Sequence, residues 1–416
     1  MPTLYNLKLF LSNASLCDEK DSEMDSKLNN ASSHRLSFIF SILTIAAITI
    51  TLRSTNNMIV TTVPTFSKLF FDFSNVSVGE ITALTYATTF ISTSLLNPRL
   101  RSAARRRAFV LSVIGMDAAL VLFSISNAYT IWLIAAFAGV AFGIVFPNLI
   151  TSASIQGDHR SQMRLLAIYS VSLSLSLVIG PTIESYLLPV IGYRMLFVAF
   201  LPLCLLATAV APFVRFPSGG KEMGGRSTLK NKSFHSALIS ISIYNIPFAA
   251  ITAFLVIYAQ ENYGISSGLA YTAFIVFFSS SFLTRLSIAI RPLGNLFYPL
   301  VASAVLTAVS LILVPFMPSF AMFLVIMVLL GIPHGSIFPV TTMIIARGTD
   351  ISERNAANSY FMAYNNILFM IVPVLFGYIS STIGFHKDFI ILGFLSAFFT
   401  AFLVLKYWRT GLVHSH

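Results

Sequence analysis

Charged residues are scarce in this chain, and their scarcity excludes most soluble folds. Only 10% of the 416 residues are charged and 56% are hydrophobic, with a mean hydropathy of +0.82. Soluble globular proteins carry about 25% charged residues, so water cannot be the solvent for most of this surface. Continuous apolar runs of about twenty residues recur almost end to end, which favours membrane-spanning helices over β-strands. We therefore predict an all-α protein embedded in a lipid bilayer.

Signals for catalysis, metal binding and nucleic-acid binding are also missing. The two cysteines, Cys17 in a polar segment and Cys204 in an apolar run, cannot form a disulfide framework or a metal cluster. No phosphate loop, zinc signature or nucleophilic triad occurs. The net charge of +11 comes from basic residues in short loops rather than from a basic patch. We expect no enzyme activity, no cofactor, no metal and no nucleic-acid partner.

Twelve apolar runs divide the chain between polar breaks. A Gly-rich, basic stretch at residues 215–233 separates two sets of six, which predicts a linker between an N-terminal half at 36–214 and a C-terminal half at 234–410. The runs lie near residues 36–66, 79–97, 107–126, 130–154, 164–188, 194–214, 235–260, 267–285, 295–316, 319–346, 356–381 and 388–408.

The tails and the basic residues predict the orientation. Residues 1–35 carry acidic side chains among Ser and Asn, the wrong order for a signal peptide, which predicts a disordered cytosolic tail; residues 411–416 form a short cytosolic tail. Successive interhelical loops lie on alternate sides of the membrane. Most of the 26 Lys and Arg residues, Arg285 and Arg291 among them, then fall on the same side as the amino terminus. Because such an excess marks the cytosolic side, we predict a multi-pass protein of the cell membrane with both termini in the cytosol.

An internal repeat relates the two halves. When the chain is shifted by 192 positions, Gly139 meets Gly331 and Gly192 meets Gly384 without a gap. The fragments GVAFGIVFP and GIPHGSIFP lie in the same register. Since this shift spans six helices, the halves have the same membrane orientation, and a parallel repeat places the substrate site between the halves near the bilayer midplane.

In this layout the chain resembles the major facilitator superfamily of transporters. GVAFGIVFPNL is similar to the family's glycine-spaced fourth helix, and VIGPTIESY resembles the Gly-Pro core of its antiporter signature. The basic loop NPRLRSAARRR stands where the family has its loop signature, with Arg101 in place of the aspartate. The resemblance implies twelve helices, alternating access and a cavity lined by the first, fourth, seventh and tenth helices.

Arg53 is the most informative side chain, because it lies deep in the first apolar run. An intramembrane charge usually faces a cavity or pairs with an opposite charge. Asn56 and Asn57 follow at helical spacing, so the three residues share a face. One reading is a cationic patch for an anionic or polar solute; the other is a structural pair with Asp117 or Glu184.

Further polar residues are candidates for the same cavity or for proton coupling. Asp117, Glu184 and His334 are the titratable candidates for proton coupling, and we expect water to reach Glu184 near the outer end of its span. His334 is also a candidate for solute binding, although a packing role is equally open. The other solute-binding candidates are Tyr86, Asn148, Asn245, Tyr360, Tyr364 and Asn365.

Together these features predict a secondary transporter for a small polar or anionic organic solute, coupled to a proton or solute gradient and acting as a monomer. Two alternatives remain open. An exporter of hydrophobic or cationic compounds is favoured by the 38 Phe and 13 Met residues. A membrane sensor or lipid-handling protein that does not turn over solute is the alternative of another class.

Overall fold

The computed structural model is helical throughout the residues that it describes. These are residues 3–100, 102–153, 159–214, 216, 229–291, 293–349 and 354–407, with side chains described from residue 37 onward except at 102, 159, 160, 163 and 354–356. Within these ranges there is no β-strand. The α-helices are α1 Thr3–Phe71, α2 Asn75–Ile91, α3 Ser102–Ser124, α4 Thr130–Ala153, α5 His159–Ala199, α6 Leu201–Val210, α7 Lys232–Tyr263, α8 Ser267–Ile290, α9 Phe297–Leu313, α10 Phe320–Gly348, α11 Arg354–Ile383 and α12 Phe385–Tyr407.

Twelve membrane spans follow from these helices. Ten segments of the described ranges are long and apolar enough to cross a bilayer, beginning with Ser37–Phe71 in α1. One segment, Arg164–Phe213, is 50 residues long and breaks at Gly192, where φ is 71°, so it supplies two spans. α2 has only 17 residues but continues into a π-helix at Ser92–Leu96. The predicted all-α fold is confirmed.

Short polar caps set the ends of several helices. Ser74, Ser266 and Ser319 precede α2, α8 and α10, and each side chain accepts a hydrogen bond from a backbone amide in the first turn. Such caps satisfy amides that have no partner inside the helix. Gly264 ends α7 at a φ of 63°, a conformation that glycine adopts without steric cost.

The internal repeat appears in the packing of the helices. Gly139 of α4 lies against the backbone carbonyl of Thr85 in α2, and 192 positions later Gly331 of α10 lies against that of Phe277 in α8. The same correspondence holds for Gly143 against Thr89 and Gly335 against Ser281. A side chain at these glycines would separate the helices. Gly192 and Gly384 also correspond, because both have positive φ. Each lies between the last two membrane spans of its half.

Two symmetric helix pairs join the halves: α2 packs on α11, and α5 packs on α8, with α1 and α7 also in contact. We call the face of the bundle where α6 ends and α7 begins the linker side, and the opposite face the far side. The parallel two-half architecture predicted from the sequence repeat thus accounts for the twelve α-helices of the described ranges.

Several predictions fall outside the described residues. Residues 215 and 217–228 of the predicted linker, and the predicted tail at 411–416, are not described.

The predicted disorder of residues 1–35 and the domain boundaries at 36, 214 and 234 stay predictions. Which side of the bundle faces the cytosol also stays a prediction.

Candidate functional site

Arg53 lies in the middle of the membrane-spanning part of α1, Ser37–Phe71, and extends toward α4 and α5. Its Nη2 donates a hydrogen bond of 3.2 Å to the Tyr169 hydroxyl, and its Cζ is 3.7 Å from the centroid of the Phe146 ring. Its Nε is buried and has no hydrogen-bond partner among the described residues. The guanidinium is therefore held by a neutral hydroxyl and a ring face, and retains a free donor.

The acids that the sequence offered as partners for Arg53 are bound elsewhere. Asp117 accepts a hydrogen bond of 2.6 Å from Thr208, which joins α3 to α6. Glu184 accepts hydrogen bonds from α1 hydroxyls. Across the part of the chain that is described, no carboxylate lies within 4.0 Å of the Arg53 guanidinium. In this conformation the structural pairing with Asp117 or Glu184 is not formed.

Glu184 forms a buried cluster on the far side, where α1, α5 and α8 meet. Its Oε1 accepts hydrogen bonds from Thr61 at 2.8 Å and from Thr62 at 2.6 Å. The Thr62 hydroxyl also lies 3.1 Å from the Tyr271 hydroxyl of α8. The Tyr271 hydroxyl also donates a hydrogen bond of 3.4 Å to the backbone oxygen of Thr61. The cluster therefore links the two halves.

One prediction about Glu184 is wrong. Its side chain is 0% exposed, so water does not reach it in this conformation, because helices from both halves cover the carboxyl group. Oε2 is buried without a hydrogen-bond partner among the described residues. A buried carboxylate without a cation is costly unless it takes up a proton, so this site suits a group that binds a proton.

The asparagines near Arg53 contact protein rather than open space. Asn57 is 7% exposed and packs against Gly180 of α5, 3.3 Å from the position that a Cβ would take there. Asn56 is half-buried. Asn148 donates a hydrogen bond of 2.8 Å to Asn97 and thereby joins α4 to the end of α2. Binding of solute by these residues stays a prediction.

The polar candidates of the C-terminal half pair with one another. Asn245 of α7 donates a hydrogen bond of 2.7 Å to Asn365 of α11. The Tyr364 hydroxyl lies 2.6 Å from the Ser242 hydroxyl. Asn365 keeps a buried Nδ2 without a partner among the described residues. Tyr360, at 36% exposure, lies apart from this group, nearer the linker side of α11.

His334 lies in a cluster of aromatic rings from three helices. Its ring centroid is 4.5 Å from that of Phe248, and its Nδ1 is 2.6 Å from the Ser281 hydroxyl. The other rings around it are those of Tyr244, Phe277 and Phe278. With 6% exposure and a hydroxyl partner, His334 is positioned as a packing residue in this conformation. No metal-binding group of His, Cys, Asp and Glu occurs in the described ranges.

Tyr86 belongs to the contact between the halves. Its ring centroid lies 4.9 Å from that of Phe369 in α11, and Phe369 contacts Phe248 at 5.7 Å. Tyr86, Phe369, Phe248 and the rings around His334 therefore form a continuous aromatic layer across both halves.

Arg285 is a second intramembrane cation, and its assignment to a loop is wrong. The sequence places the end of the span at this charge, whereas the apolar residues that follow extend α8 to Ile290. Nη1 of Arg285 lies 3.4 Å from the Ser174 hydroxyl of α5, and Nη2 lies 3.4 Å from the backbone oxygen of His334. The intramembrane-charge rule that selects Arg53 also selects Arg285 once the span is extended past the charge.

The far side of the bundle is closed by contacts between the halves. Asn75 donates a hydrogen bond of 3.3 Å to Ser380, and Ser185 donates one of 2.8 Å to the backbone oxygen of Gly268. At Gly79 of α2 an added Cβ would clash with the backbone of α11. These contacts hold α2 against α11 and α5 against α8 on the far side.

The helices form two repeated halves of a membrane protein. Arg53 and Arg285 lie inside their membrane spans. The family model of the Major Facilitator Superfamily matches residues 37–298 and 288–415. The chain belongs to the major facilitator superfamily, a family of membrane transporters. No curated protein sequence matches it.

Solved structures with the same fold come from several transporter groups. A bacterial homologue of the human lysosomal transporter Spinster, in an inward-facing and occupied conformation, is 14% identical with a TM-score of 0.71, covering 89% of this chain and 96% of that one. A POT family transporter in complex with 5-aminolevulinic acid is 12% identical with a TM-score of 0.73, covering 88% and 95%. The nucleoside transporter NupG is 12% identical with a TM-score of 0.67, covering 88% and 99%. At these identities the likeness concerns the fold alone.

Proposed function

We propose that this protein is a secondary active transporter that moves a small anionic organic solute by alternating access, with Arg53 as an anion contact. One observation carries the proposal: a cation in the middle of a span has no carboxylate partner in the described chain. A charge at that depth costs about 2.5–3.5 kcal/mol even on the lenient insertion scale. Tyr169 and Phe146 offset part of this cost, and an anionic solute would offset more.

The chemistry of the guanidinium favours a carboxylate or phosphate ligand. Arginine presents several N–H groups in a planar fork that matches two oxygens of one anion. The Nε of Arg53 is free, and its hydrogen bond to Tyr169 is 3.2 Å long. Both donors can therefore turn to an anion without breaking an ion pair.

Glu184 is the proposed coupling residue. Its cluster with Thr61, Thr62 and Tyr271 exists only while α1, α5 and α8 are packed together on the far side. Opening that side would expose the carboxyl group to water and allow it to release its proton. Proton binding and far-side closure are thereby linked, which is the requirement for coupling solute movement to a proton gradient.

Uptake of a labelled compound library into proteoliposomes tests the proposal. We expect organic anions to be transported, and Arg53→Lys to weaken their binding roughly 10- to 150-fold, since a charged hydrogen bond contributes about 1.5–3 kcal/mol. Arg106→Lys is the matched control, because Arg106 is exposed and, among the described residues, donates only to the backbone oxygen of Pro212. It should leave uptake unchanged.

The same assay separates the alternatives. Uptake or efflux of hydrophobic cations without anion transport would identify an exporter of such compounds. Binding without turnover of any compound would identify a sensor or lipid-handling protein. Anion transport with the same affinity in Arg53→Lys would refute the role of Arg53.

A further inference from the structure

Arg285 and Arg53 occupy complementary positions in the two halves. Both lie inside membrane spans, both are half-buried, and both have a buried Nε without a hydrogen-bond partner among the described residues. Neither has a carboxylate within 4.0 Å in the described chain. Arg53 belongs to the N-terminal half and Arg285 to the C-terminal half, so each half supplies one cation.

The hydrogen bonds of Arg285 are too long to account for its burial. Both of its contacts are 3.4 Å, beyond the 2.7–3.2 Å range of good N–H···O bonds. Buried arginines are normally paired with an acid. Arg285 instead rests against a serine hydroxyl and a backbone carbonyl, and its guanidinium is available to a ligand.

The two guanidinium groups converge on one stretch of α5. Arg53 contacts Tyr169 and Arg285 contacts Ser174, positions that are about 7.5 Å apart along the helix axis. Side chains tilt toward the amino terminus of their own helix. Because α1 runs toward the far side and α8 runs away from it, the two arginines extend toward each other along the membrane normal.

We infer that the solute carries two anionic groups, and that Arg285 binds one of them while Arg53 binds the other. This inference rests on the proposed anion site at Arg53. A solute that contacts both guanidinium groups has to offset two unpaired cations, and a monoanion neutralises only one of them. A dicarboxylate or a phosphate monoester neutralises both, and guanidinium groups match the oxygens of either.

The inference also explains why the cations are divided between the halves. Without solute, repulsion between Arg53 and Arg285 opposes the approach of the halves on the linker side. A dianion bridging the arginines reverses this force and draws α1 and α8 together. The ligand then favours the closed state through contacts that only that state can complete.

Thermal stabilisation of the purified full-length chain by matched anions tests the inference. The probes are succinate against monomethyl succinate, and glycerol 3-phosphate against glycerate. We expect at least one dianion to bind at least tenfold more tightly than its monoanionic partner. Arg285→Gln should remove this preference and leave monoanion affinity within about threefold. Arg285→Lys, which keeps the charge and protects against loss of the fold, should retain part of the preference.

Two further variants separate the possible failures. Arg291→Gln is the matched control, because Arg291 is the exposed residue that follows α8, and it should keep wild-type affinities. Arg53→Gln should weaken the binding of monoanions and dianions alike. If Arg53→Gln weakens anion binding while Arg285→Gln changes nothing, the inference fails and the proposed function stands. If no probe stabilises the protein, or if neither variant changes any affinity, both fail.

Discussion

A bulky side chain at Gly79 should open the far side of the transporter. Gly79 of α2 faces α11, where an added Cβ would clash with the carbonyl oxygen of Pro373 and would lie 2.9 Å from the Cα of Val374. Backbone atoms cannot rotate away, so Gly79→Val forces α2 and α11 apart. Overpacking of this kind costs about 1–3 kcal/mol, and the cost disappears when the far side is open.

The expected shift follows from that difference. If only the closed state carries the strain, the ratio of closed to open molecules falls by about fivefold to more than a hundredfold. The hydrogen bond of 3.3 Å between Asn75 and Ser380 provides the reporter. A disulfide between Asn75→Cys and Ser380→Cys, in a background with Cys17→Ser and Cys204→Ser, forms only in the closed state, so its rate of formation measures closure.

A glycine without neighbours is the control. A Cβ at Gly294 would meet no heavy atom of the described residues within 4 Å, so Gly294→Val should leave the cross-linking rate unchanged. The reasoning is refuted if Gly79→Val cross-links as fast as the parent protein, or if both variants slow the reaction equally.

The remaining predictions concern two intramembrane acids, Glu184 and Asp117. Glu184→Gln should abolish solute accumulation driven by a pH gradient in proteoliposomes, because glutamine keeps a hydrogen-bond acceptor for Thr61 and Thr62 but cannot release a proton; pH-driven accumulation that persists would contradict this. Asp117→Asn should leave that accumulation intact, because Asp117 bonds Thr208 between α3 and α6, away from the helices that join the halves. Loss of pH-driven accumulation in Asp117→Asn would contradict this expectation. Asp117→Leu should lower the melting temperature, because it leaves Thr208 without an acceptor at a cost of about 1–3 kcal/mol.

The repeat is the part of the fold that sequence reasoning describes best. A shift of 192 positions aligns glycines, and the same shift also aligns the carbonyl groups that those glycines contact, such as those of Thr85 and Phe277. This works because close helix packing needs a small residue at a fixed depth. The spacing of small residues along the chain therefore carries the repeat even where the surrounding side chains differ between the halves.

The site is only partly predictable. The burial of Arg53 follows from its place in an apolar run, but its contacts with Tyr169 and Phe146 depend on which helices are neighbours. Helical spacing places Asn57 on the same face as Arg53 without saying that α5 covers that face. Arg285 escapes sequence reasoning for a different reason, since a charge near the end of an apolar run resembles the end of a helix.

The continuity of α5 has a mechanical consequence. One unbroken helical segment carries Tyr169 at the proposed anion site and Ser185 at the far-side contact, about 24 Å apart along the axis. A tilt of this rod by about 10° around its middle displaces the two ends by about 2 Å in opposite directions, enough to break a hydrogen bond at either end. A solute that displaces the Tyr169 end of α5 therefore weakens the hydrogen bond of Ser185 at the other end. The rigid helix alone couples the two positions.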